Sequence, residues 1–185
     1  MGDELAKQVA GCMQVGDFTL SSGRKARYYA DLRPLLFSPM IREIAARVCE
    51  KLLVHKHVVD AVGGPELTSA LITAAVLAQG RPGGSRGFVV RKERKEHAKM
   101  TLIDGSLRRG DRIAVVDDVA TSGASLLRAA RVAEREYETT CDLAICVLDR
   151  MEGAAEHLKL FGIELVPLFT VYDLADKYGA GVRAE

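Results

Sequence analysis

The sequence predicts an α/β fold, a central parallel sheet flanked by helices. Short runs rich in apolar and β-branched residues recur at Val58–Val62, Gly87–Val90, Arg112–Val116, Asp142–Leu148 and Glu164–Phe169. Stretches with apolar residues at helical spacing lie between most of these runs, as in βαβ units. The runs are apolar throughout instead of alternating with polar residues, which marks strands buried on both faces. In such sheets ligands bind in the crevice beyond the carboxyl ends of the strands, so chemistry is expected from the residues that follow each strand.

From the N-terminus, Glu4–Met13 reads as a helix and Asp17–Asp31 as two short strands around a Ser21-Ser22-Gly23 turn. Ser38-Pro39 is expected to open a helix, serine as N-cap and proline at the first helical position. Ile41, Ile44, Ala45, Val48 and Leu52 share one face of it. The Val58–Val62 strand is expected to end at Gly63-Gly64-Pro65, after which Leu67, Ala70, Leu71, Ala74, Leu77 and Ala78 trace a helical stripe. Gly87–Val90 leads into a charged segment, to about Arg109, that shows no secondary-structure period. Arg112–Val116 gives the clearest strand signal, and a helix follows from Ala124 to Glu136. After Asp142–Leu148 come a short helix at Ala154–Lys159 and the last strand. With no internal repeat, low-complexity tract or linker, 1–185 is expected to form a single domain.

Bulk properties exclude several function classes. Lys and Arg number 26 and Asp and Glu 25, a formal net charge of +1, so no broad nucleic-acid surface is expected. The 4 cysteines, Cys12, Cys49, Cys141 and Cys146, form no C-x-x-C pair and no zinc-ligand spacing, and three of them fall in apolar segments. Small core residues are the natural reading. Met1-Gly2-Asp3-Glu4 lacks the basic start and apolar run of a signal peptide, and no stretch is long and apolar enough to cross a membrane. The expected setting is cytoplasmic.

The sharpest motif is Ile113-Ala114-Val115-Val116-Asp117-Asp118-Val119-Ala120-Thr121-Ser122-Gly123-Ala124-Ser125. Two carboxylates end a buried strand, and a small-residue loop then opens a helix. Backbone N–H groups of such a loop and the helix N-terminus can surround a phosphate dianion, with Thr121, Ser122 and Ser125 adding hydroxyl donors. Asp117 and Asp118 would repel phosphate; they can accept hydrogen bonds from ribose hydroxyls or favour Mg²⁺. An acidic pair alone is more often a loop cap and a solvated neighbour, but the Thr-Ser-Gly and helix start make the combination specific. There is no G-x-x-x-x-G-K phosphate loop and no G-x-G-x-x-G after a strand, which weakens the nucleotide-triphosphatase and dinucleotide readings.

This stretch resembles the PRPP (5-phosphoribosyl pyrophosphate) motif of the type I phosphoribosyltransferases. The resemblance implies their parallel sheet with flanking helices, plus a small hood, here about 1–37 and part of 150–185, that selects the base. It makes 119–125 the 5-phosphate loop: Val119, Ala120, Thr121, Ser122, Gly123, Ala124 and Ser125. The charged run Arg91-Lys92-Glu93-Arg94-Lys95-Glu96-His97-Ala98-Lys99 follows a strand. Most charge runs are solvated loops, yet PRPP is an anion whose leaving pyrophosphate gains charge, and mobile cations closing over it would stabilise that charge and exclude water. Its R-K-E-x-K-x-H spacing is similar to the catalytic loop of the orotate phosphoribosyltransferases. That similarity implies PRPP contacts from Arg91, Lys92, Lys95 and His97. It also implies a homodimer in which the 91–110 loop serves the neighbouring site. Ala98 stands where that family usually has glycine.

Three further segments agree with it. Phe18-Thr19-Leu20-Ser21-Ser22-Gly23-Arg24 is similar to the family's N-terminal signature, with Ser21 where many members carry a lysine and with Arg24 and Lys25 beside it. Leu148-Asp149-Arg150 ends a strand, and a guanidinium can hold a carboxylate through two parallel hydrogen bonds. Orotate differs from uracil by a carboxylate, so Arg150 is the expected reader of orotate, with Thr121 at a second orotate position. Val166–Leu174 resembles the C-terminal segment and reads as structural, with Thr170 capping a helix. Val62-Gly63-Gly64-Pro65-Glu66-Leu67 falls at the family's pyrophosphate turn but carries Glu66-Leu67-Thr68-Ser69 where many members have an aromatic or Lys-Gly.

The resemblance spans about 16–174. It implies an enzyme that transfers the phosphoribosyl group of PRPP to orotate, giving orotidine 5′-monophosphate and pyrophosphate. Mg²⁺ would be carried mainly by substrate oxygens near Asp117 and Asp118, with Lys92, Lys95 and His97 neutralising the leaving group. The same scaffold could serve a purine or uracil, in which case Arg150 is structural. A PRPP-binding regulatory module would not need the 91–97 cations, and a Mg²⁺-dependent phosphatase would need a nucleophile that is not identifiable.

Overall fold

The chain runs through α1 (Glu4–Gly11), β1 (Met13–Thr19), β2 (Lys25–Ala30), α2 (Arg33–Leu36), α3 (Ile41–Val54), β3 (Ala61–Pro65), α4 (Thr68–Ala78), β4 (Arg86–Val90) and β5 (Ile103–Gly105), then β6 (Arg112–Ala120), α5 (Ala124–Tyr137), β7 (Thr140–Asp149), α6 (Ala154–Lys159), β8 (Glu164–Thr170) and α7 (Val171–Tyr178). These come from a computed structural model that describes residues 3–19, 25–56, 58–80, 86–93 and 101–178. Six strands form the main sheet in the order β5-β4-β3-β6-β7-β8, and β1 pairs with β2 in a separate two-stranded sheet. Within the main sheet β3, β4, β6, β7 and β8 are parallel, and only β5 runs antiparallel, along the edge of β4. The expected central parallel sheet flanked by helices is what forms.

The apolar runs behave as strands buried on both faces. In β6, Ala114 and Val116 join one core with Ile44, Val48 and Leu52 of α3 and Ile72 and Val76 of α4. Their neighbours Ile113 and Val115 point the other way, into a second core with Leu126, Ala129, Ala130 and Ala133 of α5 and Leu158 of α6. A strict alternation of side chains thus needs apolar residues at every position. Cys141 and Cys146 lie buried in the second core, and no disulfide joins any of the four cysteines.

Several boundaries differ from expectation, each for a physical reason. The strand expected at Val58–Val62 forms as β3 at Ala61–Pro65, so Gly63-Gly64-Pro65 belongs to it. A Cβ on Gly63 would lie 2.1 Å from the Phe88 carbonyl oxygen, and one on Gly64 would lie 2.1 Å from that of Val116. The glycines let neighbouring backbone come close. They do not stop the strand. Ser38 caps a turn instead of α3: its hydroxyl accepts from the Met40 N–H at 3.1 Å and donates to the Leu35 carbonyl at 2.9 Å, and α3 starts at Ile41. Two short elements, α2 and β5, have too few residues to show a period. In β5 the buried Ile103 follows Leu102, whose N–H reaches Glu136 at 3.2 Å. β6 runs to Ala120, with Ala120 opposite Asp149 of β7, so Asp117 and Asp118 lie within the strand. Thr170 does cap α7, through the reciprocal box with Asp173: Thr170 Oγ1 accepts from the Asp173 N–H and Asp173 Oδ2 from the Thr170 N–H, both at 3.2 Å.

No helix among the described residues is long and apolar enough to cross a membrane. If the close strand packing is required, Gly64→Ala and Gly63→Ala will each lower the thermal midpoint by an amount equivalent to about 1–3 kcal/mol or more. Gly11→Ala, at the end of α1 with nothing within 4 Å of the added carbon, will leave it unchanged or slightly raised in the same thermal scan.

Candidate active site

The acidic pair lies in the C-terminal part of β6, beyond its last pairing with β3 and still paired with β7. Asp117 is buried and Asp118 half-buried. Thr68 Oγ1, at the start of α4, lies 3.1 Å from Asp117 Oδ1 and 3.0 Å from Asp118 Oδ1. The Asp118 N–H donates to Asp117 Oδ1 at 3.0 Å, and Ser125 Oγ donates to Asp117 Oδ2 at 3.2 Å. These donors do not offset burial and the neighbouring Asp118 charge, which together push the Asp117 carboxyl up to about 7. Arg33 of α2, paired with Asp31 at 2.6 Å, is close enough to feel the charge of Asp118.

The loop after β6 turns on Gly123, which has φ 73° in the left-handed region and precedes α5. The first bond inside α5 runs from the Leu127 N–H to the Gly123 carbonyl at 2.9 Å, so the N–H groups of 124–126 have no helical acceptor and can face an anion. Thr121 and Ser122 are half-buried on this loop and Ala124 is exposed. The Ser125 hydroxyl, expected on phosphate, is directed at Asp117 instead. Behind the loop stands α6, with His157 Nδ1 at 2.7 Å from the Ser122 carbonyl oxygen.

One strand away, Arg150 follows the end of β7. Its N–H donates to the Ala120 carbonyl at 3.0 Å, which ties the two strand ends together. Its side chain is 5% exposed and pairs with Glu152 at 2.6 Å. Asp149 before it is buried, which raises its carboxyl above the ordinary range, and it accepts from the Met151 N–H at 2.9 Å.

On the other side, β4 delivers Arg91 and Lys92. Arg91 Nε bonds Asp104 Oδ2 of β5 at 2.5 Å, so its guanidinium is engaged at the sheet edge. The exposed Lys92 has its backbone held from two directions: its N–H donates to Glu66 Oε1 at 2.7 Å, and its carbonyl accepts from Arg128 at 2.8 Å. Glu66 belongs to the turn between β3 and α4, where the Glu66–Leu67 peptide is cis. Lys95 and His97 lie outside the described residues. Asp117, Asp118, the 119–125 loop and Arg150 are thus brought to one edge of the sheet, with Lys92 at the end of β4, one strand beyond β3. Among the described residues no three His, Cys, Asp or Glu side chains converge on one point. A cation here would find hard oxygen donors in Asp117 and Asp118 and take its other ligands from elsewhere.

No family model matches the chain. Individual relatives do. Orotate phosphoribosyltransferase of Pyrococcus furiosus is 35% identical over 189 residues, covering 100% of both chains. That of Methanosarcina acetivorans is 41% identical over 170 residues, 91% of this chain and 88% of the relative. The chain belongs to the orotate phosphoribosyltransferase family. Its fold agrees: a crystal structure of the Mycobacterium tuberculosis orotate phosphoribosyltransferase in complex with PRPP superposes with a TM-score of 0.73 at 32% identity, covering 93% of this chain and 97% of that one.

As a member of the orotate phosphoribosyltransferase family the chain is an enzyme, and four of its side chains gain a place that sequence reading did not assign. Thr68 bonds both carboxylates, Glu66 and Arg128 hold the Lys92 backbone, and His157 touches the loop after β6. Thr68 had a faint signal, a hydroxyl at the head of a helix following a strand. The others have none, because each pairing joins residues 26 or more apart.

The Asp117 shift gives a stability test. Between its ordinary 3.8 and about 7 the folded state holds a proton that the unfolded chain releases, so stability falls as pH rises through that window and is level above it. Asp117→Asn removes the penalty. Denaturant titrations should find this variant more stable than wild type at pH 8, by roughly 1–3 kcal/mol, and no more stable near pH 4. An equal difference at both pH values would show that Asp117 is not the group responsible.

Proposed function

We infer that this enzyme transfers the phosphoribosyl group of PRPP to orotate, giving orotidine 5′-monophosphate and pyrophosphate in de novo pyrimidine (UMP) biosynthesis. The observation that carries the reading is the contiguity of three complementary groups on one sheet edge. The acidic pair lies in the last residues of β6, an anion-binding loop follows the strand, and the buried Arg150, whose guanidinium pairs with Glu152, is tied through its backbone N–H to Ala120 of β6.

In this assignment the N–H groups of 121–125 receive the 5-phosphate, and Asp117 and Asp118 accept hydrogen bonds from the ribose hydroxyls. Arg150 and Thr121 hold orotate, the guanidinium facing its carboxylate. The orotate ring nitrogen forms a bond to ribose C1 as the C1–O bond breaks and pyrophosphate leaves with the electron pair. Arg91, Lys92, Lys95 and His97 are assigned to PRPP and pyrophosphate, the last three balancing the charge that builds on the leaving group. Asp117 and Asp118, with substrate oxygens, would hold Mg²⁺, which when bound supplies positive charge to the pyrophosphate.

A homodimer suits α4, which is apolar on more than its buried face: Ala74, Leu77 and Ala78 are exposed, and so is Leu67 just before it. Leu67 adjoins Glu66, which bonds the start of the 91–110 loop, so a second copy seated here would lie beside that loop. The hood proposed for 1–37 and part of 150–185 is supported by Tyr178 of α7, whose hydroxyl donates to the Asp3 carbonyl at 3.2 Å. Thiols without disulfides suit the cytoplasm.

The deciding experiment follows orotate absorbance with purified protein, PRPP and Mg²⁺, alongside uracil, hypoxanthine and adenine. Orotate is expected to be consumed only when PRPP and the metal are both present, and chelation with EDTA should stop it. Consumption of another base in its place would refute the orotate assignment. Arg150→Ala should raise the KM for orotate at least tenfold, on the order of one charge-assisted hydrogen bond, and narrow the preference over uracil; an unaltered preference removes Arg150 as the reader. If the 91–110 loop serves the partner's site, mixing inactive Lys95→Ala chains with Arg150→Ala chains will restore activity above either alone. Failure to complement in a verified mixed dimer would place the loop on its own site.

A further inference from the structure

The geometry points to His157 as a positioning residue that orients the 5-phosphate loop from behind, an inference that rests on the assignment of 121–125 proposed above. His157 Nδ1 lies 2.7 Å from the Ser122 carbonyl oxygen. A carbonyl can only accept, so Nδ1 carries the proton in this contact. The Ser122 carbonyl belongs to the same planar unit as the Gly123 N–H, and in a trans peptide the two point in opposite directions. Pinning the oxygen toward α6 therefore turns the Gly123 N–H away from α6, to the side where the open N–H groups of α5 await an anion.

Two independent features fit the same picture. Gly123 has φ 73°, and a Cβ there would meet the Ala154 carbonyl oxygen and the Leu158 side chain, each at 3.1 Å, so α6 is the surface against which the loop is moulded. The imidazole ring is itself held: Phe161 packs edge-on against it with ring centroids 5.6 Å apart, and Arg131 of α5 covers the Phe161 ring at 5.2 Å. A ring fixed in this way presents its donor in one direction. Without it, the Ser122–Gly123 peptide could rotate and direct an oxygen at the phosphate, where the two would repel.

His157→Leu removes the donor while keeping the bulk, and His157→Asn places an amide N–H near the position of Nδ1. Steady-state kinetics with the full-length enzyme should show His157→Leu raising the KM for PRPP and the inhibition constant of inorganic phosphate about five- to tenfold, the loss of one hydrogen bond. The KM for orotate should stay within about twofold, and His157→Asn should recover most of the loss. A merely structural role would instead move all constants and the thermal midpoint together, without rescue, and that result overturns the inference. So does an unchanged PRPP KM in His157→Leu. If His157→Leu does not fold, His157→Asn and His157→Gln decide: normal phosphate inhibition in Gln as well as Asn would show that donor position is immaterial. A wild-type enzyme that responds to neither PRPP nor phosphate would sink the loop assignment itself, whereas PRPP turnover with an indifferent His157 sinks only this step.

Discussion

Two adjacent carboxylates in one buried strand repel each other and lose water together, an arrangement that costs several kcal/mol if nothing answers it. Here the answer comes from three separate elements. Thr68 of α4 reaches both acids, the β6 backbone supplies the Asp118 N–H, and Ser125 of α5 supplies a hydroxyl. The compensation is incomplete, since the Asp117 carboxyl still rises to about 7. A hydroxyl-rich or cationic ligand would complete it. The acidic pair is thus stable enough to fold and unsatisfied enough to bind.

That requirement explains features far from the acids. Thr68 reaches them only if β3 lies tight against β6, and β3 can do so because Gly64 presents no side chain to the Val116 carbonyl, as Gly63 presents none to that of Phe88 on β4. Ser125 reaches Asp117 only if α5 begins immediately after a sharp turn, which Gly123 supplies in the left-handed region. The glycines on β3 and at the head of α5 are two ends of one constraint. They set where the helices begin, and the helices bring the hydroxyls.

The main strands are legible because each buried strand needs apolar residues on both faces, and Ile113 to Val116 or Leu143 to Val147 can hardly be read otherwise. The acidic pair and its loop were legible because they are contiguous in the chain. β5 is not legible, since three residues show no period, and the end of β3 lies beyond its expected place because glycines punctuate turns far more often than they admit a neighbour's backbone. The Ser125 hydroxyl donates to Asp117, a partner that spacing alone does not give, because spacing places a hydroxyl on a loop but cannot say which way it turns. Glu66, Arg128 and His157 stayed hidden for a different reason. Their partners are backbone atoms of distant residues, and nothing in a side-chain sequence records which carbonyl or N–H will need one.

The strand ends also sort charge in a way that bears on the choice of base. Acid occupies the centre at β6, while cations stand to either side, Lys92 after β4 and Arg150 after β7, with the positive end of α5 between. A ligand with hydroxyls in the middle and anionic groups at its periphery matches that sequence of signs. Lys92 is exposed and can follow a charge that moves, as on a departing group. Arg150 is buried, and a buried guanidinium needs a carboxylate beside it; Glu152 stands there at 2.6 Å. A base that brings its own carboxylate can share or assume that partnership. A neutral base would leave Arg150 with Glu152 alone and gain no charge-assisted bond from the guanidinium. Discrimination in the proposed reaction then rests on a carboxylate able to share the guanidinium with Glu152, which no neutral base can do.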